Sequence, residues 1–94
     1  MKNTPVIFRK FRSNGEVIAM FPTIPGTNNP YVCSSYMHIG QHGSAGLSLI
    51  CDTDLAKPAE YESLLRELVA IGYDDLKVYS RSSRKFDIIR HAAI

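Results

Sequence analysis

The sequence predicts an α+β fold, a two-layer sandwich with one helix packed on one face of an antiparallel sheet of four to five strands, in the order β-β-β-β-α-β. Three observations lead there. Residues 5–12 and 16–22 are β-forming runs that flank an Asn-Gly pair, the strongest short-range hairpin signal because a tight turn needs positive φ. Residues 58–71 repeat apolar side chains at helical spacing. A single helix cannot bury such a stripe alone, so it must lie across a sheet.

With a two-residue loop at Asn14-Gly15, Ser13 opposes Glu16, Phe11 faces Ile18, Arg9 faces Met20 and Phe8 faces Phe21. Alternation then puts Ile7, Arg9, Phe11, Ile18 and Met20 on one face. Val6, Phe8, Lys10, Arg12, Val17, Ala19 and Phe21 fall on the other. Both faces carry apolar side chains, so one meets the core and the other needs a partner or the chain's own tail to cover it. Residues 22–30, rich in Pro and Asn, read as a loop.

A third strand is expected near 34–39, broken by residues 40–44. A fourth is expected over 46–52, with Leu47, Leu49 and Cys51 opposite in face to Ser48, Ile50 and Asp52. The helix opens at Pro58, with Glu60 and Glu62 in its first turns. Its stripe is Tyr61, Leu64, Leu65, Leu68 and Ile71, with Glu62 and Arg66 paired on the wet side. Gly72 ends it. Residues 75–81 read as a last strand. The expected organisation is a single domain over 1–81 and a tail over 82–94, either a docking segment or partly disordered.

The chain has 94 residues, 45% hydrophobic and 21% charged, which suits one globular domain rather than a disordered chain. It has no apolar run of the ~20 residues needed to span a bilayer. The opening MKNTPVIFRKFR lacks an apolar signal core, so the expected location is the cytoplasm and no membrane partner is expected. Cys33 and Cys51 are the only cysteines, too few for a disulfide framework and expected as free thiols. The apolar surface left over by one helix points to a homodimer.

The chemically dense stretch is CSSYMHIGQHG, residues 33–43. Imidazole is the side chain most easily tuned to exchange a proton near neutral pH, and the commonest metal ligand. His38 and His42 are therefore the candidate catalytic residues, and Tyr36, His38, Gln41 and His42 the candidate ligand-binding set. Cys33, His38 and His42 are a weaker metal set, with His91 or Asp52 as a fourth ligand; the spacing matches no standard structural zinc pattern. No cofactor and no metal are expected. The bland alternative is a strand end and turn, with Gly40 and Gly43 there for backbone reasons.

Arg9, Lys10, Arg12, Lys77 and Arg81, with Arg84 and Lys85 beyond them, would form a cationic edge if the first and last strands are neighbours. Such an edge, interleaved with Phe8, Phe11 and Tyr79, suits single-stranded nucleic acid. A net charge of +2 is small for that role. No phosphate-binding glycine loop or nucleophile elbow is present. Ser34, Ser35 and Ser44 lie near the histidines without a positioning acid in sequence. Asp52 and Asp54 read as a surface loop rather than a calcium loop.

The segments GEVIAMFP (15–22), SYMHIGQHG (35–43), PAEY (58–61) and IGY (71–73) resemble a family of short uncharacterised bacterial proteins. That family shares a GEVIAxFP strand, an SYMHxGQHG segment and a PxEY helix start. The resemblance covers roughly residues 6–80, implies a bacterial cytoplasmic protein and assigns no catalytic role. The function expected from the sequence is thus a small non-enzymatic binding or accessory module using residues 36–43 and the adjacent basic strand edge. A hydrolase or lyase using His38 and His42, and a single-stranded nucleic-acid binder, are the alternatives. A protein partner is also compatible with the first reading.

Overall fold

In the computed structural model, which describes residues 3–38 and 40–94, strands β1 (Thr4–Phe11) and β2 (Val17–Pro25) form the expected hairpin. Its register differs from the expected one. Ile7 pairs with Met20, Phe8 with Ala19, Arg9 with Ile18 and Lys10 with Val17. The tight two-residue turn does not form, because only Gly15 takes positive φ, at 74°, and Asn14 does not. The Asn14 side chain instead accepts the Glu16 N–H at 3.0 Å, a local bond typical of Asn in turns. Gly15 N–H donates to the Phe11 carbonyl at 2.8 Å. The loop is longer and the pairing slips by two. A slip of two leaves every side chain on its face, so the two faces are those expected from alternation.

β3 (Val32–Met37) and β4 (Gln41–Gly46) form a second hairpin, with Tyr36 opposite His42 and Met37 opposite Gln41. Here the sequence reading fails. The segment expected to break the sheet is a strand, and the strand expected over 46–52 is a turn followed by a short helix, α1 (Leu49–Asp52). Two glycines and a serine give 41–46 little intrinsic strand preference; pairing to β3 supplies it. The apolar residues of 46–52 suit a helical turn as well as a strand, since Leu47 and Ile50 are three apart. Both pack against the sheet with Leu49. The expected third strand reached Ile39, which lies outside the described residues.

The outer edge of β1 is shared. β5 (Thr53–Leu55) pairs antiparallel with its second half, at Arg9 to Phe11. β6 (Leu76–Val78) pairs parallel with its first half, at Thr4 to Val6. The sheet order is β4-β3-β2-β1-β5, with β6 also on β1.

Helix α2 (Pro58–Ala70) covers one face of this sheet. Pro58 opens it, and Glu60 accepts the Lys57 N–H at 2.8 Å. Leu64 and Leu68 are buried against Val6, Phe8, Ala19, Phe21 and Tyr36, flanked by Tyr61 and Leu65. Phe8 stacks on Tyr61 with centroids 4.3 Å apart. Ile71, expected in the stripe, caps the helix and is half exposed. Glu62 and Arg66 pair as expected, and a Gly72 N–H to Val69 bond closes the end. The fold is therefore an α+β sandwich with α2 on one face; among the described residues its sheet has six strands rather than four to five, antiparallel except where β6 adds to β1.

The second face holds Ile7, Ile18, Met20, Cys33 and Ala45. The tail covers part of it. Helix α3 (Arg84–Ala92) starts at Ser83, whose Oγ accepts the Phe86 N–H at 3.4 Å. Phe86 meets Tyr79 edge-on at 4.9 Å, and Tyr79 packs against this second cluster. Arg90, 1% exposed, donates to the carbonyls of Pro22 at 2.6 Å and Pro30 at 3.1 Å, and to Asp87 at 2.8 Å. The homodimer expected from the sequence starts from apolar surface left over by one helix; on this face Leu47, Leu49, Ile50 and Tyr79 cover part of that surface. No helix among the described residues is long and apolar enough to cross a membrane.

Candidate functional site

The turn from β3 to β4 stands beside the C-terminal half of α2. Cross-strand pairing puts Tyr36 and His42 on the α2 side of the sheet. Their rings meet edge-on, centroids 4.7 Å apart. Tyr73, just past α2, stacks on Phe21 at 5.2 Å and brings its hydroxyl to 3.5 Å from His42 Nε2. Tyr36, Gly40, His42, Ile71, Gly72 and Tyr73 line a concavity of about 430 Å³. That lies within the range of small-molecule sites, ~300–1,000 Å³.

Glu67, on α2, organises the floor. Tyr36 donates its phenol proton to Glu67 Oε2, and the Tyr36 oxygen accepts the Gly40 N–H at 2.9 Å. Gly40 has φ of 68°, a left-handed conformation cheap for glycine, and this aims its N–H back at the strand. Glu67 Oε1 lies 2.7 Å from His38 Nδ1. The hydrogen bonds from Tyr36 and then His38 hold the Glu67 carboxyl below its ordinary value. The bond to Glu67, and then burial, hold the Tyr36 phenol above its own.

The sign of the resulting pH dependence follows. A carboxyl with a depressed folded-state pKa stabilises the fold above its unfolded value of 4.5, and that stabilisation is lost as pH falls through the lower folded value. Glu60 acts in the same direction, held down by Lys10 and then by the Lys57 N–H. Stability should therefore decline in acid below about pH 4.5. Glu67→Gln should flatten part of that decline in urea titrations run from pH 3 to 7. An unchanged acid limb would show that Glu67 is not the linked group.

His38 and His42 do not face each other. His42 lines the cavity beside Tyr73, whereas His38 borders a separate concavity with Glu60 and Ser63. The Tyr36–Glu67 pair bonds to His38 on one side, and Tyr36 touches His42 on the other. Gln41 pairs with Met37, and strand alternation turns it away from the face of His42. Cys33 is buried in the cluster on the opposite face, where burial raises its thiol pKa. The structure thus does not gather Cys33, His38 and His42. Among the described residues no three His, Cys, Asp or Glu side chains are placed to hold a metal ion. His91 instead has Nε2 3.1 Å from the Pro30 carbonyl.

The basic residues are dispersed. Arg9 donates to the Thr53 hydroxyl at 3.0 Å and to the carbonyls of Ile50 and Thr53. Lys10 pairs with Glu60, and Arg12 with Asp54 at 3.0 Å. β6 does neighbour β1, but Lys77 pairs beside Pro5 rather than beside Arg9. Lys77 Nζ sits 5.4 Å from the Tyr79 ring centroid, and Arg81 is exposed beyond β6. None of these five lines the cavity at Tyr36.

The residues the sequence reading missed are Glu67, Ser63 and Tyr73. Glu67 and Ser63 are one helical turn apart on α2, a spacing visible in the sequence. Their relation to His38 depends on docking of the helix against β3. Family models, curated proteins and solved structures were all compared with this chain, and none matches.

Proposed function

We propose that the protein is a small binding or accessory module, and that its ligand site is the cavity between the β3–β4 turn and the end of α2. The single supporting observation is the convergence of Tyr36, His42 and Tyr73 on one concavity of about 430 Å³. Flat aromatic walls, an imidazole nitrogen and a phenol hydroxyl suit a compact planar molecule with a hydrogen-bonding edge. The separation of His38 from His42 favours binding over a reaction using both imidazoles.

Titration of ¹⁵N-labelled protein with indole, adenine and 4-hydroxybenzoate tests this. At least one probe should move the amide signals of Gly40, His42, Gly72 and Tyr73 together, with Kd on the order of 1 mM, equivalent to about 4 kcal/mol. His42→Ala should weaken that binding. Its side chain is exposed, so the fold should persist. Shifts scattered over the surface, or none at these four positions with any probe, would sink the reading.

A further inference from the structure

We propose that Ser63 is an activated nucleophile, with His38 as its general base and Glu67 as the residue that positions His38. This site is distinct from the cavity of Tyr36, His42 and Tyr73. Ser63 Oγ lies 3.3 Å from His38 Nε2, and His38 Nδ1 lies 2.7 Å from Glu67 Oε1. Serine, imidazole and carboxylate bonded in that order through the two ring nitrogens form the arrangement that activates a hydroxyl in acyl transfer.

The charge on Glu67 fixes one side of the imidazole. Tyr36 and Gly40 bond to the other Glu67 oxygen, at 3.5 Å for Gly40, and Glu67 is held toward its ionised form. An ionised carboxylate only accepts, so His38 Nδ1 carries a proton, and in the neutral ring Nε2 is the acceptor for Ser63. A concavity of about 300 Å³ opens at Ser63 and His38, walled by Val17 and Met37 with Glu16 and Glu60 at its edge. Its size and mixed lining suit a short-chain acyl ester.

The step balances without a cofactor. Ser63 Oγ forms a bond to the ester carbonyl carbon while its proton passes to His38 Nε2. The tetrahedral adduct collapses, the carbon–alkoxy bond breaks, and His38 returns the proton to the leaving alcohol. Water, deprotonated by His38, then releases the acid and restores Ser63. The backbone N–H groups of Gly15 and Glu16 beside the cavity are already bonded, to Phe11 and Asn14. An oxyanion there gains no help from them. A missing oxyanion donor costs ~10²–10³ in rate. The expected behaviour is therefore covalent capture of activated reagents with slow turnover.

The test uses the full chain and a fluorophosphonate, whose P–F bond breaks as Ser63 Oγ bonds phosphorus and the serine proton leaves through His38. Intact-mass measurement should show one adduct per chain, mapped by peptide mass spectrometry to Ser63. Ser63→Ala should abolish it, and Ser13→Ala, in an exposed turn, should not. His38→Ala should slow labelling by about 10²-fold or more, and added imidazole should restore part of the rate. Glu67→Gln should slow it and change its pH profile, a readout that loss of a purely structural bond would not move. No adduct, an adduct elsewhere, or equal labelling of the His38→Ala protein would overturn the proposal. All are independent of whether planar probes bind beside His42.

Discussion

Arg90→Ala is expected to destabilise the protein by about 2–3 kcal/mol. The guanidinium is 1% exposed and donates to the backbone carbonyls of Pro22 and Pro30. An orphaned buried polar group costs ~1–3 kcal/mol; the Pro22 carbonyl becomes one, whereas the Pro30 carbonyl keeps His91 Nε2 at 3.1 Å. Asp87, the charged partner, is 41% exposed at its side chain and is rehydrated when the pair is lost, so the orphaned Pro22 carbonyl dominates. Arg90→Met separates packing from bonding, because it keeps most of the volume and removes the donors. Urea denaturation should place Arg90→Met within about 1 kcal/mol of Arg90→Ala, since the Pro22 carbonyl stays orphaned in both. Hydrogen exchange should show the amides of α3 losing protection ahead of those of the sheet. A methionine variant as stable as the parent would mean that α3 is held by apolar contact alone.

Phe8→Ala should cost about 3–5 kcal/mol, the usual range for removing a buried phenylalanine. Phe8 is 1% exposed, sits in the cluster under α2, and stacks on Tyr61. The stacked pair adds ~0.5–1.5 kcal/mol beyond area burial, so truncation removes both volume and ring contact. A domain of this size holds ~5–14 kcal/mol in total, so the variant should be marginal. Thermal unfolding followed by circular dichroism checks this, and Phe8→Leu should recover much of the loss. A fall of less than about 1 kcal/mol for alanine would show that the α2 face tolerates a void.

Two effects decide how the two faces of the sheet are closed. On the α2 face, stability rests on apolar volume in contact with Leu64 and Leu68. On the α3 face, a shorter helix adds a buried cation that ties a strand carbonyl and a loop carbonyl to the tail. It bonds the Pro22 carbonyl within β2 and the Pro30 carbonyl just before β3; β2 runs on to Pro25, so the loop expected over 22–30 begins only after it, and Arg90 helps fix its path. Residues 82–94, separable in sequence as a polar stretch and a mixed tail, are thereby part of the packed structure.

By itself the sequence determined what depends on local periodicity. Alternation in residues 5–22 assigned each hairpin side chain to its face, and that assignment survived a register error because a slip of two residues preserves faces. Helical spacing and Pro58 located α2, and Gly72 its end. The tertiary structure alone decided what depends on distant groups. Pairing to β3 made a strand of the glycine-containing 41–46 segment, against its local preference. The edge of β1, split between β5 and β6, sent Arg9, Lys10 and Arg12 to partners 39 to 50 residues away. Docking of α2 brought Glu67 and Ser63 to His38, and set His38 and His42 at separate cavities. Four residues of sequence separation place two imidazoles close along the chain. The strand turn between them, and the helix across it, determine what each one meets.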